Sequence, residues 1–489
     1  MSWTNEQIAA MVEPDRAHRK AYTDPEIFDL EMERIFENTW IYVGHESQVK
    51  EPGDYYLAQV GRQPMVMVRD RNGEVQVLYN RCPHRGAQIC TARKGNTGGH
   101  FYCSYHAWTF HLDGKLESMP AKHGYDGTNL DFDDPEFHMA RPARSDSYRG
   151  FWFAKLSEGG PDLKTHLGDS ASAFDQLIDR APGKETEVVG SCFRMVQQSN
   201  WKIFLENQLD SSHPGVTHES TGKAAQQIEA KIRADGKEVP LELSFLSDFA
   251  RLGHDGWTKF GTIGFPNGHS SLEGYMGLRP DDPDTNEYVR RMYAAYGEEK
   301  AEEILNVNIH HMLVYPCLSI QPPLQQLRSI RPLGPDKTLT EIWHFRLKEA
   351  PEAIYRRSLA YYYLVNSPST LVNADDLFNW WKCQHGLESS AREWVSFHRN
   401  AGQDIVEGDK TYSAPDTMSE LPLRHMMHAW KDYMTAGEGA SSWEPQPKSS
   451  PPTIPLLSPE SPSRPSWRSK NFSTARRKFS TRNSGTTGS

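Results

Sequence analysis

Hydrophobic positions change their period along the chain. Over residues 1 to about 40, EQIAAMVEPDRAHRKAYTDPEIFDLEMERIFENTW gathers its apolar residues on one face at helical spacing, which predicts a helical N-terminal segment. From about 45 to 155 the texture turns to short alternating runs. DYYLAQV, MVMVRD and EVQVLYN read as strands between Gly, Pro and Asn-Gly turns, and RNGE marks a hairpin. This predicts a small all-β domain. From 160 to 435, stretches read as helical (ILNVNIHHM, AYYYLVN) mix with strands such as LTEIWHFRLK, so the larger part is α+β. After residue 436, Ser, Pro, Thr and basic residues dominate with little to bury, which predicts disorder. The expected organisation is therefore an N-terminal helical segment, 1–44, packing on the larger domain; a β domain, 45–157; an α+β domain, 158–436; and a disordered tail, 437–489.

Composition narrows the class. A chain of 489 residues is long enough for two or more domains with their own cores. A net charge of −10 argues against a nucleic-acid partner, which needs a basic face. The basic residues of the tail (Arg464, Arg468, Lys470, Arg476, Arg477, Lys478) read as a solvated appendage. The N-terminus lacks a signal-peptide core, and no run approaches the ~20 apolar residues of a membrane span. A cytoplasmic enzyme without a membrane partner is expected. The six cysteines, Cys82, Cys90, Cys103, Cys192, Cys317 and Cys383, are too sparse for a disulfide framework.

Two of those cysteines have histidines at short fixed offsets. RCPHRGAQIC and FYCSYHAW give Cys82-x-His84, eighteen residues, then Cys103-x2-His106. Zinc fingers pair Cys with Cys and His with His at wider spacing. Here each half supplies one thiolate and one imidazole, the set a Rieske [2Fe–2S] cluster requires, with two Cys on one iron and two His on the other. Pro83 stiffens the first loop, and Gly86 permits close backbone approach to the cluster. Cys90 and the remaining cysteines read as ordinary buried thiols.

A second constellation lies in ENQLDSSHPGVTHES, residues 206–220. His213 and His218 supply two imidazoles, and Pro214-Gly215 is expected to break the helix so that both rings converge. Two His and one carboxylate are the facial set of oxygen-activating non-haem Fe(II). Asp210, one helical turn before His213, is placed to accept that ring's other N–H and fix its tautomer. The carboxylate ligand must come from elsewhere. In LVNADDLFNWWKCQHGL, Asp375-Asp376 opens an amphipathic stretch, and the pair also reads as a helix N-cap. Glu219 reads as a solvated surface charge. His310-His311 are strand neighbours facing opposite ways, so they cannot share a metal.

CPHRG…CSYHAW resembles the cluster motif of the Rieske non-haem iron oxygenases, and the resemblance runs from about residue 20 to about 435. Ala107 stands where many members have Gly, and the eighteen-residue gap is on the long side. The resemblance implies a small all-β Rieske domain followed by a helix-grip catalytic domain, an antiparallel sheet flanked by helices. It implies Asp376 as the third iron ligand, with Asp375 as the fallback, and Asn207 near the iron. It further implies that Asp210 links His213 to His106 of the partner subunit, in an alpha3 ring or an alpha3beta3 assembly with a small beta subunit. Electrons would come from NAD(P)H through a separate ferredoxin or reductase, since the chain has no GxGxxG fingerprint. With O2 as co-substrate, the product would be a cis-dihydrodiol or a hydroxylated arene. LSIQPPLQQLRSIRPL, NADDLFNWWKCQHGL and EWVSFHRNAGQ look most like large subunits acting on aromatic acids such as benzoate, toluate, anthranilate and salicylate. Arg328 and Arg331 are possible carboxylate anchors, although a strand arginine is more often exposed or ion-paired. A Rieske monooxygenase or demethylase with the same metals is the alternative.

Overall fold

The computed structural model describes residues 3–436 apart from 191, 275–278, 308 and 416–417. The tail from 437, with its basic residues, lies outside the described residues. Four antiparallel strands form the first sheet, in the order Val75–Tyr79, Gln63–Arg69, Asp54–Val60, Lys94–Asn96. The RNGE hairpin closes as its residues dictate. Gly73 takes φ +84°, and the Asp70 carboxylate accepts from the backbone N–H of Asn72 and of Glu74, each at 2.9 Å. A smaller sheet of Phe101–Tyr102, Thr109–Phe110 and Leu116–Ser118 packs with the first over a core containing Val66, Val68, Leu78, Phe101 and Phe110. Ile41–His45 pairs with Phe151–Lys155, so the chain enters and leaves this region through adjacent strands.

The N-terminal segment is less helical than its periodicity suggests. Helices Asn5–Ala9, Lys20–Thr23 and Pro25–Glu31 form, but Val12–Glu13 and Arg16–His18 make a hairpin extended by Trp394–Ser396. Pro14 explains the change, since a helix interior does not tolerate its missing N–H and its ring.

A ten-stranded antiparallel sheet dominates the larger part. Its centre is built from Lys337–Leu347, Gln326–Gly334, Leu318–Gln321 and Ile309–Val314, in that order. The Trp201–Leu209 helix packs on Ile309–Val314 and Gln326–Gly334, and the Leu371–Leu387 helix packs against it in turn. This is the expected antiparallel sheet gripped by helices. One stretch is corrected. ILNVNIHHM is not a single helix, because Glu298–Asn306 ends the helix and Ile309–Val314 is a strand. A short apolar run suits either period, and here sheet pairing decides. No helix among the described residues is long and apolar enough to cross a membrane.

One buried carboxylate fastens these parts together. Glu31 accepts from Trp201 Nε1 (2.8 Å), Lys202 Nζ (2.5 Å) and Trp430 Nε1 (2.6 Å). Glu31 and Lys202 are both fully buried. Burial pushes the lysine's pKa down, and the adjacent Glu31 opposes that loss of charge. Nearby, the Tyr22 hydroxyl donates to Glu206 at 2.7 Å, and Asn200 Nδ2 donates to the Tyr22 carbonyl. The N-terminal segment therefore braces the Trp201–Leu209 helix from one side.

Candidate active site

The two Cys/His loops close by the same backbone pattern. Cys82 N–H donates to the Ala87 carbonyl (2.8 Å) and Gly86 N–H to the Cys82 carbonyl (2.9 Å). Cys103 N–H donates to Trp108 and Ala107 N–H to Cys103, both at 2.9 Å. Gly86 and Ala107 sit at the same point of this turn, with φ +74° and +59°. Gly86 thus serves the turn itself, and Ala107 holds a left-handed conformation that costs an L-residue roughly 1–2 kcal/mol. Asn80, which the sequence reading did not single out, pins the first loop. Its Oδ1 accepts from the Ile89 and Cys90 amides, and its Nδ2 donates to the Cys90 carbonyl at 2.7 Å.

The loops bring Cys82, His84, Cys103 and His106 together. Both cysteines are buried free thiols in contact with one another, and the two imidazole centroids lie 4.6 Å apart. His84 also stacks on Trp108, at 4.9 Å and 2°. Burial pushes the Cys82 thiol up to about 11, with Cys103 adding to the effect, so its thiolate needs a cationic partner. His106 Nδ1 is buried without a hydrogen-bond partner. Two paired thiols, two paired imidazoles and an orphaned ring nitrogen fit a Rieske cluster. Cys90 and Cys317 are buried as expected, Cys192 is half-buried, and Cys383 is exposed, which corrects that reading.

The second constellation assembles differently from the sequence picture. The helix ends at Leu209, not at Pro214; Pro214 instead starts the short helix Pro214–Thr217, at the first position, where its missing N–H costs nothing. The break comes from Asp210, whose Oδ1 accepts from Ser212 N–H at 2.9 Å while Oδ2 lies 3.3 Å from His213 Nδ1. One carboxylate both makes the turn and orients the ring. Because only Nδ1–H can donate to a carboxylate, His213 presents its Nε2 lone pair away from Asp210. Burial works to raise the Asp210 pKa, but the bonds from His213 and Ser212 outweigh it and hold it at about 2.

His213, His218 and Asp376 each place a ligand atom within 4.8 Å of the other two. His218 Nε2 is 3.3 Å from Asp376 Oδ1 and His213 Nε2 is 3.7 Å from it. Asp375 lies outside this set, behind His218, with its Oδ2 3.6 Å from Nδ1. The adjacent aspartates thus take different places, and neither caps the helix, which begins at Leu371 after Thr370. Burial opposes charge on His218, but Asp376 and then Asp375 outweigh it and raise its pKa. A half-buried set with surplus negative charge and two facing imidazoles fits a divalent iron.

Asn207 is fixed between these residues. Gln208 Nε2 donates to its Oδ1 (3.2 Å), which turns the Asn207 amide nitrogen toward His213 Nε2 (3.1 Å) and Asp376 Oδ1 (3.3 Å). The set opens on a cavity of about 400 Å³, lined also by Arg328, Gln321, Tyr361 and His311. The sequence offers His311 no role beside His310, yet it lines this space; the His310 side chain lies outside the described residues. Glu219 stands at the cavity wall, mostly exposed and paired with Lys223. Arg331 lines a different, smaller recess with Tyr56 and Glu341, so it is no anchor for this cavity.

Two family models match the chain: the Rieske [2Fe-2S] domain over residues 39–129 and the ring hydroxylating alpha subunit catalytic domain over 185–436. The chain belongs to the Rieske ring-hydroxylating oxygenase alpha subunits. It is an oxidoreductase of that family, with a domain for a [2Fe–2S] cluster. This oxygenase subunit is 34% identical over 416 residues to the toluate 1,2-dioxygenase alpha subunit of Pseudomonas putida, covering 81% of this chain and 88% of that one. It is 33% identical over 394 residues to the anthranilate 1,2-dioxygenase large subunit of Acinetobacter baylyi, covering 79% and 81%. In structure it is similar to naphthalene 1,2-dioxygenase from Rhodococcus sp. bound to indole. There the TM-score is 0.67 and the identity 25%, over 86% of this chain and 94% of that one.

Proposed function

We propose that this subunit is the terminal oxygenase that hydroxylates the ring of an aromatic acid, giving a cis-dihydrodiol or a hydroxylated product. Cys82, His84, Cys103 and His106 hold the [2Fe–2S] cluster, and His213, His218 and Asp376 hold ferrous iron. When bound, the cluster supplies single electrons and the iron supplies the centre at which O2 is activated. The electrons originate in NAD(P)H and arrive through a separate ferredoxin or reductase. The observation that carries the reading is the convergence of three ligand atoms within 4.8 Å at the wall of a cavity large enough for a small arene. The acid substrate is supported by the relatives named for toluate and anthranilate.

The chain's own residues have distinct tasks. Asp210 keeps the proton on His213 Nδ1, so that Nε2 faces the site. Asn207 donates to Asp376 and holds the carboxylate's orientation. In the assembled alpha3 or alpha3beta3 ring, Asp210 connects His213 to His106 of the partner subunit, which makes the working unit larger than one chain. The test is turnover of a panel of aromatic acids by the metal-loaded enzyme with a reduced donor and 18O2. Two labelled oxygens in the product are expected for dihydroxylation. One labelled oxygen would reassign the chain to monooxygenation, and unlabelled or absent product from every acid would sink the proposal.

A further inference from the structure

Arg328 has surroundings unlike those of the arginines that form ion pairs. It sits on the Gln326–Gly334 strand, is only 5% exposed, and reaches the cavity that holds His213, His218 and Asp376. Its partners are three neutral amides. Nε donates to Gln326 Oε1 (2.8 Å), Nη2 to Gln321 Oε1 (2.6 Å) and Nη1 to Gln208 Oε1. Among the described residues it forms no ion pair with a carboxylate. By contrast, Arg424, equally buried, is matched by Asp404 at 2.5 Å.

A guanidinium in such a place is costly unless an anion joins it. Burial pushes its pKa down to about 10 even with Tyr361 and Asp376 nearby, which leaves it protonated and without a counter-charge in contact. The three glutamines fix the fork without neutralising it. Of the five N–H donors of arginine, three are engaged. The remaining two lie one on each terminal nitrogen, and a carboxylate can take such a pair in bidentate fashion. Gln208 also donates to Asn207, so the same chain of amides runs from Arg328 to the residues around Asp376.

We infer that Arg328 is the anchor for the carboxylate of the substrate, held ready by Gln208, Gln321 and Gln326, and that it makes the cavity selective for anionic over neutral arenes. This rests on the oxygenase reading of the cavity and adds the residue that chooses the substrate class. A purely structural arginine, tying the Trp201–Leu209 helix to the sheet, would affect charged and neutral ligands alike.

The test is equilibrium binding of benzoate and of its neutral isostere benzamide to the metal-loaded enzyme, with cluster absorbance and iron content recorded for each variant. The wild-type protein is expected to favour benzoate by roughly 10- to 100-fold, the range of charge-assisted hydrogen bonds. Arg328→Gln is expected to erase that preference by weakening benzoate alone. Gln321→Glu keeps the arginine and its packing but supplies an internal counter-ion, and it is expected to erase the preference in the same way. It carries the test if the first variant does not fold. A wild-type enzyme without the preference, or either folded variant that retains it, overturns the inference. Arg328-dependent benzoate binding without labelled product from any acid would leave the anchor standing and remove the proposed reaction. Labelled product together with an unchanged preference in the variants would do the reverse.

Discussion

The two candidate metal centres of this chain are built on opposite plans. The Cys/His centre is local: each of two short loops brings one thiol and one imidazole and closes on itself through the same pair of backbone bonds. The His/Asp centre is global. Its parts are as far apart as Asn207 and Asp376, 169 residues in sequence, and meet only because two helices pack on one sheet. The first is rich in thiols, the second in carboxylates. A local centre takes its shape from its own loops, whereas a global one depends on everything that holds its helices in place.

Substitutions can break this contrast in order of severity. Asp376→Ala is expected to empty the mononuclear site and reduce turnover by more than the roughly 100-fold typical of losing an outer partner. The visible spectrum of the cluster should persist, as metal analysis and absorbance will show. Loss of both centres, or of neither, would refute the ligand assignment. Asp210→Ala should retain both metals, with iron affinity lowered roughly 10- to 100-fold, and should abolish turnover; normal single-turnover kinetics would rule out its role as the bridge.

Glu31→Ala touches neither set of ligands, yet it strands Lys202 as an uncompensated buried charge. A loss of about 3–5 kcal/mol in denaturant unfolding is expected. His45 offers a smaller, pH-dependent effect. Burial among Phe151 and Phe345 lowers its pKa to about 3, while in the unfolded chain it titrates near 6.5. The unfolded state then takes up a proton first, so stability falls as pH drops through that window, by up to about 1.4 kcal/mol per unit. His45→Gln should flatten that limb of the stability curve. The smallest change has the opposite sign: Ala107→Gly relieves a left-handed alanine and should stabilise the second loop by about 1 kcal/mol, seen as a higher melting temperature.

The same contrast explains what could be read from the chain alone. Cys82, His84, Cys103 and His106 announce themselves because their spacing is their geometry. Asp375 and Asp376 do not: they are neighbours on one helix, and only the packing of that helix on Trp201–Leu209 points one at His213 and the other behind His218. Pro214 misleads because proline both ends helices and begins them. ILNVNIHHM misleads because a short apolar run has no unique period. Arg328 is hidden for a similar reason, since nothing in LRSIR distinguishes the buried arginine from Arg331, three positions on and against a different recess.

The Glu31 junction has a consequence for how the protein is made. Its partners Lys202 and Trp430 lie 171 and 399 residues further along the chain. Closing such long loops is entropically slow, and the last contact must wait until Trp430 has been synthesised. The two Cys/His loops, by contrast, close through backbone bonds between residues only four or five apart. The helix that carries Asn207 and leads into Asp210, braced first by the N-terminal segment, gains its last neighbour when the Leu421–Thr435 helix arrives. Assembly therefore has a direction, with the local Cys/His loops able to close before the residues of the His/Asp set are held in place.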